Sequence, residues 1–139
     1  MILLDTNVVS ALMRAEPDPA VVKWLDKQPA SSIWVTSITV MEIRFGLLGL
    51  PASRRRGTLT QLFEKILEDL IEGRIAPFDM QAGIHAADLM ASRKPTGRPG
   101  DLRDTMIAGI ALASRATLAT RNTRHFADVA VPVVNPWEA

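Results

Sequence analysis

Hydrophobic residues in this chain come in two kinds of block. Short continuous runs have the length and side-chain type of buried strands: Ile2-Leu3-Leu4, Ile33-Trp34-Val35-Thr36, Ile75-Ala76-Pro77-Phe78, Thr117-Leu118-Ala119-Thr120 and a stretch within Val129 to Val134. Pro77 cannot donate to a ladder, so its run is expected at a sheet edge. Between these runs lie longer stretches with helical character. Residues 7–14 form the first. The second opens at Asp18-Pro19, a cap residue followed by proline at the first helical position, and runs to about Gln28. A third opens at Thr39 and runs to about Gly49. The clearest covers 58–72, where Leu59, Leu62, Phe63, Ile66, Leu67, Leu70 and Ile71 recur at helical spacing until Gly73 stops it. Residues 79–92 and 101–114 complete the set. Residues 93–100 carry two prolines and two glycines and read as a mobile loop.

Strands therefore alternate with helices from end to end. That order predicts a mainly parallel sheet covered by helices on both faces, a three-layer α/β/α sandwich. No internal repeat and no linker interrupts it, so residues 1–139 are expected to form a single domain. The chain is long enough to bury a real core, and 47% of its residues are apolar.

Composition narrows the chemistry. With no cysteine there is no disulfide framework, no thiolate metal site and no cysteine nucleophile. A net charge of +1 gives no global attraction to nucleic acid, although Arg54-Arg55-Arg56 and the pair Arg121 and Arg124 are local basic clusters. No apolar run is long enough to span a membrane. The start MILLDTN lacks a basic n-region and is cut by Asp5, so it is expected to belong to the fold rather than to a signal peptide. A cytoplasmic location is the expectation.

Four polar residues stand out because they end or open apolar runs: Asp5 in ILLDTN, Glu42 in TVMEIR, Asp104 in LRDTMIAG and Asn122 in LATRNT. Burying an unpaired carboxylate is costly, and a divalent cation is a natural counter-charge. In an open parallel sheet, ligands bind beyond the carboxyl ends of the strands. Asp5 and Asn122 follow predicted strands, and Glu42 and Asp104 lie near helix N-termini, so the topology brings all four to one edge. Each has a simpler reading. Asp5 fits a helix cap, Thr39-x-x-Glu42 fits a capping box, and Asp101 and Asp104 suit a helix's first turn. Four caps converging on one edge with apolar neighbours favour a metal site over separate caps. His85 and His125 have no partner at metal spacing. No serine sits in a glycine elbow, and no phosphate-binding glycine loop is present. An oxygen-only cluster prefers Mg²⁺ or Mn²⁺, and phosphodiester hydrolysis by an activated water is the matching reaction class. No lysine or arginine is expected between the acids. Backbone phosphates would be met by some of Arg54, Arg55, Arg56, Arg98, Arg121 and Arg124. The apolar surface left by the helices before Gly73 is expected to face another chain.

The segments ILLDTNVVSALMR, TSITVMEIRFGL, DTMIAGIALA, LATRNTRHF and VVNPWE, spanning residues 2 to 138, resemble the PIN-domain ribonucleases of the VapC or FitB type, toxins of toxin–antitoxin pairs. The resemblance implies Mg²⁺- or Mn²⁺-dependent cleavage of RNA. It places Asp5, Glu42 and Asp104 at the family's acidic positions, with Asp5 and Asp104 as direct ligands and Glu42 beside them or acting through water. Thr6 and Asn7 would support Asp5. Asn122 stands where the family often has a fourth acid, which puts a second metal in doubt and leaves Asn122 a substrate or water contact. The resemblance also implies a homodimer and a VapB-like antitoxin that blocks the site, with DNA reached only through that antitoxin. The alternative is a non-catalytic binding module within a regulatory antitoxin–DNA complex.

Overall fold

The computed structural model describes residues 1–139. Five short runs form strands: β1 (Ile2–Leu4), β2 (Ile33–Thr36), β3 (Ile75–Ala76), β4 (Thr117–Ala119) and β5 (Val133–Val134). They lie in the order β3-β2-β1-β4-β5, and every neighbouring pair is parallel. Parallel neighbours need crossovers, which the helices supply: α1 (Thr6–Leu12), α2 (Pro19–Asp26), α3 (Ser37–Leu48), α4 (Arg54–Lys65), α5 (Met80–Arg93) and α6 (Leu102–Ser114). The chain winds outward from central β1 to β2 and β3, then crosses to β4 and β5 on the other side. The strand order thus reverses between β1 and β4, and a crevice opens at their carboxyl ends.

Side chains alternate across the sheet, which sorts the core into two layers. Leu3 and Leu118 enter one cluster with Leu89, Ile107 and Ile110 of α5 and α6. Leu4 and Ala119, one residue further on, enter the other with Val8, Val21, Ile43, Phe63 and Ile71 from the α1 to α4 side. This is the three-layer sandwich expected from the sequence.

Several boundaries differ from the sequence reading, each for a local reason. Helix α3 begins two residues before Thr39, because the Thr36 hydroxyl accepts the Thr39 N–H at 3.0 Å and is the cap. Helix α4 begins at Arg54, since Ser53 caps it by accepting the Arg56 N–H. Its continuation, Ile66–Ile71, widens into a π-helix, and the chain leaves through left-handed backbone at Glu72 (φ 51°) and Gly73 (φ 77°). Residues 93–100 are not all loop. Arg93 closes α5 and is buried, and Lys94–Thr96 make one 3₁₀ turn.

Helices α5 and α6 approach closely at Gly109. A Cβ there would collide with the Ala82 carbonyl oxygen and lie 2.9 Å from the Ala86 methyl. Gly109→Ala gains about 1 kcal/mol of helix propensity. It forces apart two packed helices at a backbone atom that cannot give way, which costs about 1–3 kcal/mol. The clash is expected to win, and the variant to melt several degrees lower by calorimetry. An unchanged or raised melting temperature would show that the helices can slide apart.

Candidate active site

Asp5 leaves β1 while still paired, its N–H donating to Ala119 O at 2.9 Å. The backbone then turns into α1, for which Asp5 is the N-cap. Its Oδ1 accepts the Thr6 N–H at 2.8 Å. Its Oδ2 accepts the Thr120 hydroxyl at 2.7 Å and the Asn7 amide at 3.2 Å. Every partner is neutral, and the residue is only 4% exposed. Burial therefore raises the Asp5 carboxyl above its ordinary value. The Thr120 and Thr6 hydrogen bonds offset part of the rise, and the charge of Asp104 adds to it.

Glu42 lies in the second turn of α3, beyond reach of the cap. The capping-box reading therefore fails: Thr36 caps the helix, and Glu42 instead accepts the Thr6 hydroxyl through Oε1 at 2.8 Å. Thr6 joins the first two acids, since its amide binds Asp5 and its hydroxyl binds Glu42. Glu42 Oε2 lies 3.7 Å from Arg103 Nη1. A cation therefore does stand beside the acids, contrary to the sequence expectation, but it is half-exposed and makes no close bond.

Asp104 is the third residue of α6, whose cap is Asp101. Its Oδ2 faces His125 Nδ1 at 3.0 Å. A carboxylate can only accept, so Nδ1 carries the hydrogen. Burial raises the Asp104 carboxyl. The His125 bond opposes this, while the charges of Asp101 and Glu42 add to the rise. These mutual charge effects place the three acids in one electrostatic neighbourhood around the β1/β4 crevice.

Asn122 is joined to that group through its backbone. Strand β4 ends at Ala119, and Thr120 takes the position beside Asp5. Asn122 is exposed, and its backbone N–H donates to the Thr120 hydroxyl at 3.0 Å. The sequence reading missed Thr120 because it was counted as strand. It also set aside His125, whose partner is remote in sequence. It missed Arg93 as well, assigning it to a loop. Arg93 makes a bidentate pair with Asp128 through Nε and Nη2, both at 2.8 Å. Its Nη1 donates to the Thr105 hydroxyl and its Nη2 to the His125 carbonyl. One buried guanidinium thus holds the residue after Asp104 and the backbone of Asp104's partner. The only sequence signal was an arginine on the helix preceding a proline-rich turn.

No three acidic or histidine side chains stand close enough together, as placed, to form a ready-made ion cage. The donor set still suits a hard divalent cation. Asp5 is an anion among neutral donors, and the carboxyls of Asp5 and Asp104 are both raised by burial and by negative neighbours. A cation bound among them would relieve that penalty, drawing further oxygen donors from water and substrate.

The profile of the PIN domain family matches residues 2–132. The chain is 42% identical to the VapC ribonuclease Y4jK of Sinorhizobium fredii, over 99% of each chain. It is 36% identical to the toxin FitB of Neisseria gonorrhoeae, again over 99% of each. Its fold superposes on a chain in the structure of FitAB bound to a DNA fragment with a TM-score of 0.88 at 36% identity, covering 99% of this chain and 96% of that one. A chain of the DNA-bound VapBC of Salmonella typhimurium superposes with a TM-score of 0.80 at 25% identity, with 97% of each covered. Coverage is nearly end to end each time, so the likeness is of the whole domain and not of one motif.

A raised carboxyl pKa in the fold has a definite thermodynamic sign. The folded protein binds the proton more tightly than the unfolded chain, whose Asp titrates near 3.8. Its contribution to stability is therefore complete below that value and is lost as pH rises through the raised one. Asp104→Asn removes the charge at nearly constant volume. In chelator, the variant is expected to melt above the parent at pH 7, with the gap closing as pH falls towards 4. Asp104 as a purely favourable first-turn charge gives the opposite sign, a lower melting temperature at pH 7.

Proposed function

The chain belongs to the PIN domain family, and from that premise we propose that it is a metal-dependent endoribonuclease, the toxin of a toxin–antitoxin pair. The observation that carries this reading is the Asp5 carboxylate, buried at the β1/β4 crevice, bonded only to neutral donors and flanked by Glu42 and Asp104. A structural carboxylate so placed would be expected to have a cation of its own. Half-exposed Asp128 shows what a cation does for such a group: its bidentate bond to Arg93 holds its carboxyl below the usual range.

Asp5 and Asp104 are the residues that would hold a divalent ion, with Glu42 beside them. A Mg²⁺ or Mn²⁺ ion bound there supplies positive charge to the scissile phosphate and acidifies a water. Thr6, Asn7 and Thr120 fix both oxygens of Asp5, so the anion is oriented before substrate arrives. Glu42, tied through Oε1 to Thr6, keeps Oε2 without a hydrogen bond as the acceptor for the attacking water's proton. The water oxygen bonds to phosphorus as the bond to the leaving nucleoside oxygen breaks. His125 holds Asp104 through Oδ2 and leaves Oδ1 free.

The partners of the relatives support further parts of the reading. An elongated apolar groove of about 890 Å³ runs between α1, α3 and α4, from Met13 and Leu59 to Thr6 and Glu42. A VapB-like antitoxin lying in it would reach the acids, and DNA would be met only through that partner. Exposed Met41, Phe45 and Leu48 on α3 support a homodimer. No helix is long and apolar enough to cross a membrane, in keeping with action in the cytoplasm. A non-catalytic binding module is the second reading, favoured by exposed Asn122 and by Arg103 beside Glu42.

RNA cleavage in Mg²⁺ or Mn²⁺ and in chelator separates the two. Asp5→Asn, Glu42→Gln and Asp104→Asn are each expected to lower single-turnover cleavage by about a hundredfold or more, with the circular dichroism spectrum unchanged. Full turnover in any one of them would remove that residue from the mechanism. Absence of cleavage by the unaltered chain with either ion would favour the binding module.

A further inference from the structure

Two of the arginines around the site are committed within the protein. Arg93 is spent on Asp128, and Arg103 leans on Glu42 and Asp101. Arg121, unlike the equally unpaired Arg14, Arg54, Arg55, Arg98 and Arg124, is held against an aromatic ring. Its guanidinium carbon lies 4.8 Å from the centroid of the Trp137 ring, and it enters none of the ion pairs. The backbone brings the two residues together. Strands β4 and β5 run in parallel with Ala119 opposite Val134, and the Thr120 N–H donates to Val134 O at 2.9 Å. Both chains therefore leave the sheet at its carboxyl edge. Trp137 is fixed by its N–H to Asn135 Oδ1 at 2.9 Å and by packing on the α1 to α4 core. The Arg121 N–H donates to Asn7 Oδ1 at 3.1 Å, and the Asn7 amide reaches Asp5.

The Arg121 guanidinium closes on none of the site's carboxylates. Arg121 stacks on an indole instead, which restrains the side chain while leaving its planar fork of N–H donors unspent. That arrangement suits an incoming oxyanion that accepts two parallel hydrogen bonds. We propose that the Arg121–Trp137 stack is a preformed phosphodiester subsite, gripping the RNA backbone beside the scissile bond. The inference rests on the nuclease reading and adds to it the residue pair that seats the strand. Trp137 acts through Arg121 as a positioning residue.

The test is equilibrium binding of a short single-stranded RNA to the full chain in chelator, from 50 to 200 mM salt, well below the melting temperature of each variant. Affinity of the unaltered chain should fall as salt rises. Arg121→Gln should weaken binding roughly ten- to hundredfold, the range for a lost charge-assisted contact. It should also flatten the slope of log affinity against log salt by about 0.7, one phosphate contact. Arg121→Lys should fall between the two, and Trp137→Phe should retain most of the affinity. Trp137→Leu should approach Arg121→Gln, with the double variant no weaker than Arg121→Gln alone. Arg121→Gln removes no core packing, so it tests the subsite even if Trp137→Leu folds poorly. Unchanged affinity and slope in Arg121→Gln would overturn the subsite alone. A Glu-rich peptide whose binding, rather than that of RNA, depends on Arg121 would overturn it in favour of a protein contact. No salt-dependent RNA binding by the unaltered chain would overturn the nuclease reading and the subsite together.

Discussion

A single anion held between two parallel strands organises this end of the molecule. The Asp5 carboxylate sits where β1 and β4 part, and each of its oxygens is claimed by a neutral donor. Isolated in an apolar domain, such a group would cost more than it contributes. Its neighbours make sense as the means of keeping it ionisable and fixed in direction. Thr6 bonds it through the main chain and turns its hydroxyl to Glu42. Thr120 bonds it and accepts the Asn122 backbone N–H, while Asn7 braces Asp5, Thr120 and the Arg121 backbone together. Small hydroxyl and amide side chains do this without neutralising the charge, as an arginine would.

The opposite wall is built differently. There the acid is Asp104, and its support is cationic but one step removed. Arg93 neutralises Asp128, not Asp104, and through Thr105 and the His125 carbonyl it sets the spacing between α6 and the turn after β4. The cleft wall thus gains the rigidity of a buried guanidinium paired with a half-exposed carboxylate, while the acid facing the crevice keeps its charge. The two walls reach the same result, one with neutral donors and one with a displaced salt bridge.

Much of this was legible in the sequence because it depends on periodicity and position. The alternation of Leu3 with Leu4 and of Leu118 with Ala119 fixes which face of the sheet each residue covers. The rule that ligands gather beyond carboxyl strand ends places Asp5 near Asp104 before any coordinates exist. What could not be read were pairings decided by reach rather than by register. Thr39 and Thr36 are both plausible caps, and which hydroxyl meets which amide depends on where β2 releases the chain. His125 finds Asp104 across 21 residues, and Arg93 finds Asp128 across 35. A long flexible side chain leaves no periodic trace of its destination.

The bond from Thr120 to Asp5 spans 115 residues, and the central pairing of β1 with β4 has nearly the same span. Chain made early therefore waits for chain made late. As the protein emerges from the ribosome, the α1 to α4 layer and strands β1 to β3 can fold against one another with Asp5 facing an unfilled flank. Asp104 and the Thr120 hydroxyl come about a hundred residues later. Contacts so distant along the chain are slow to form and form last. A product ending before Thr117 would carry the three acids yet lack the strand that aligns the first of them. The order of translation is thus a built-in delay between making Asp5 and completing its surroundings.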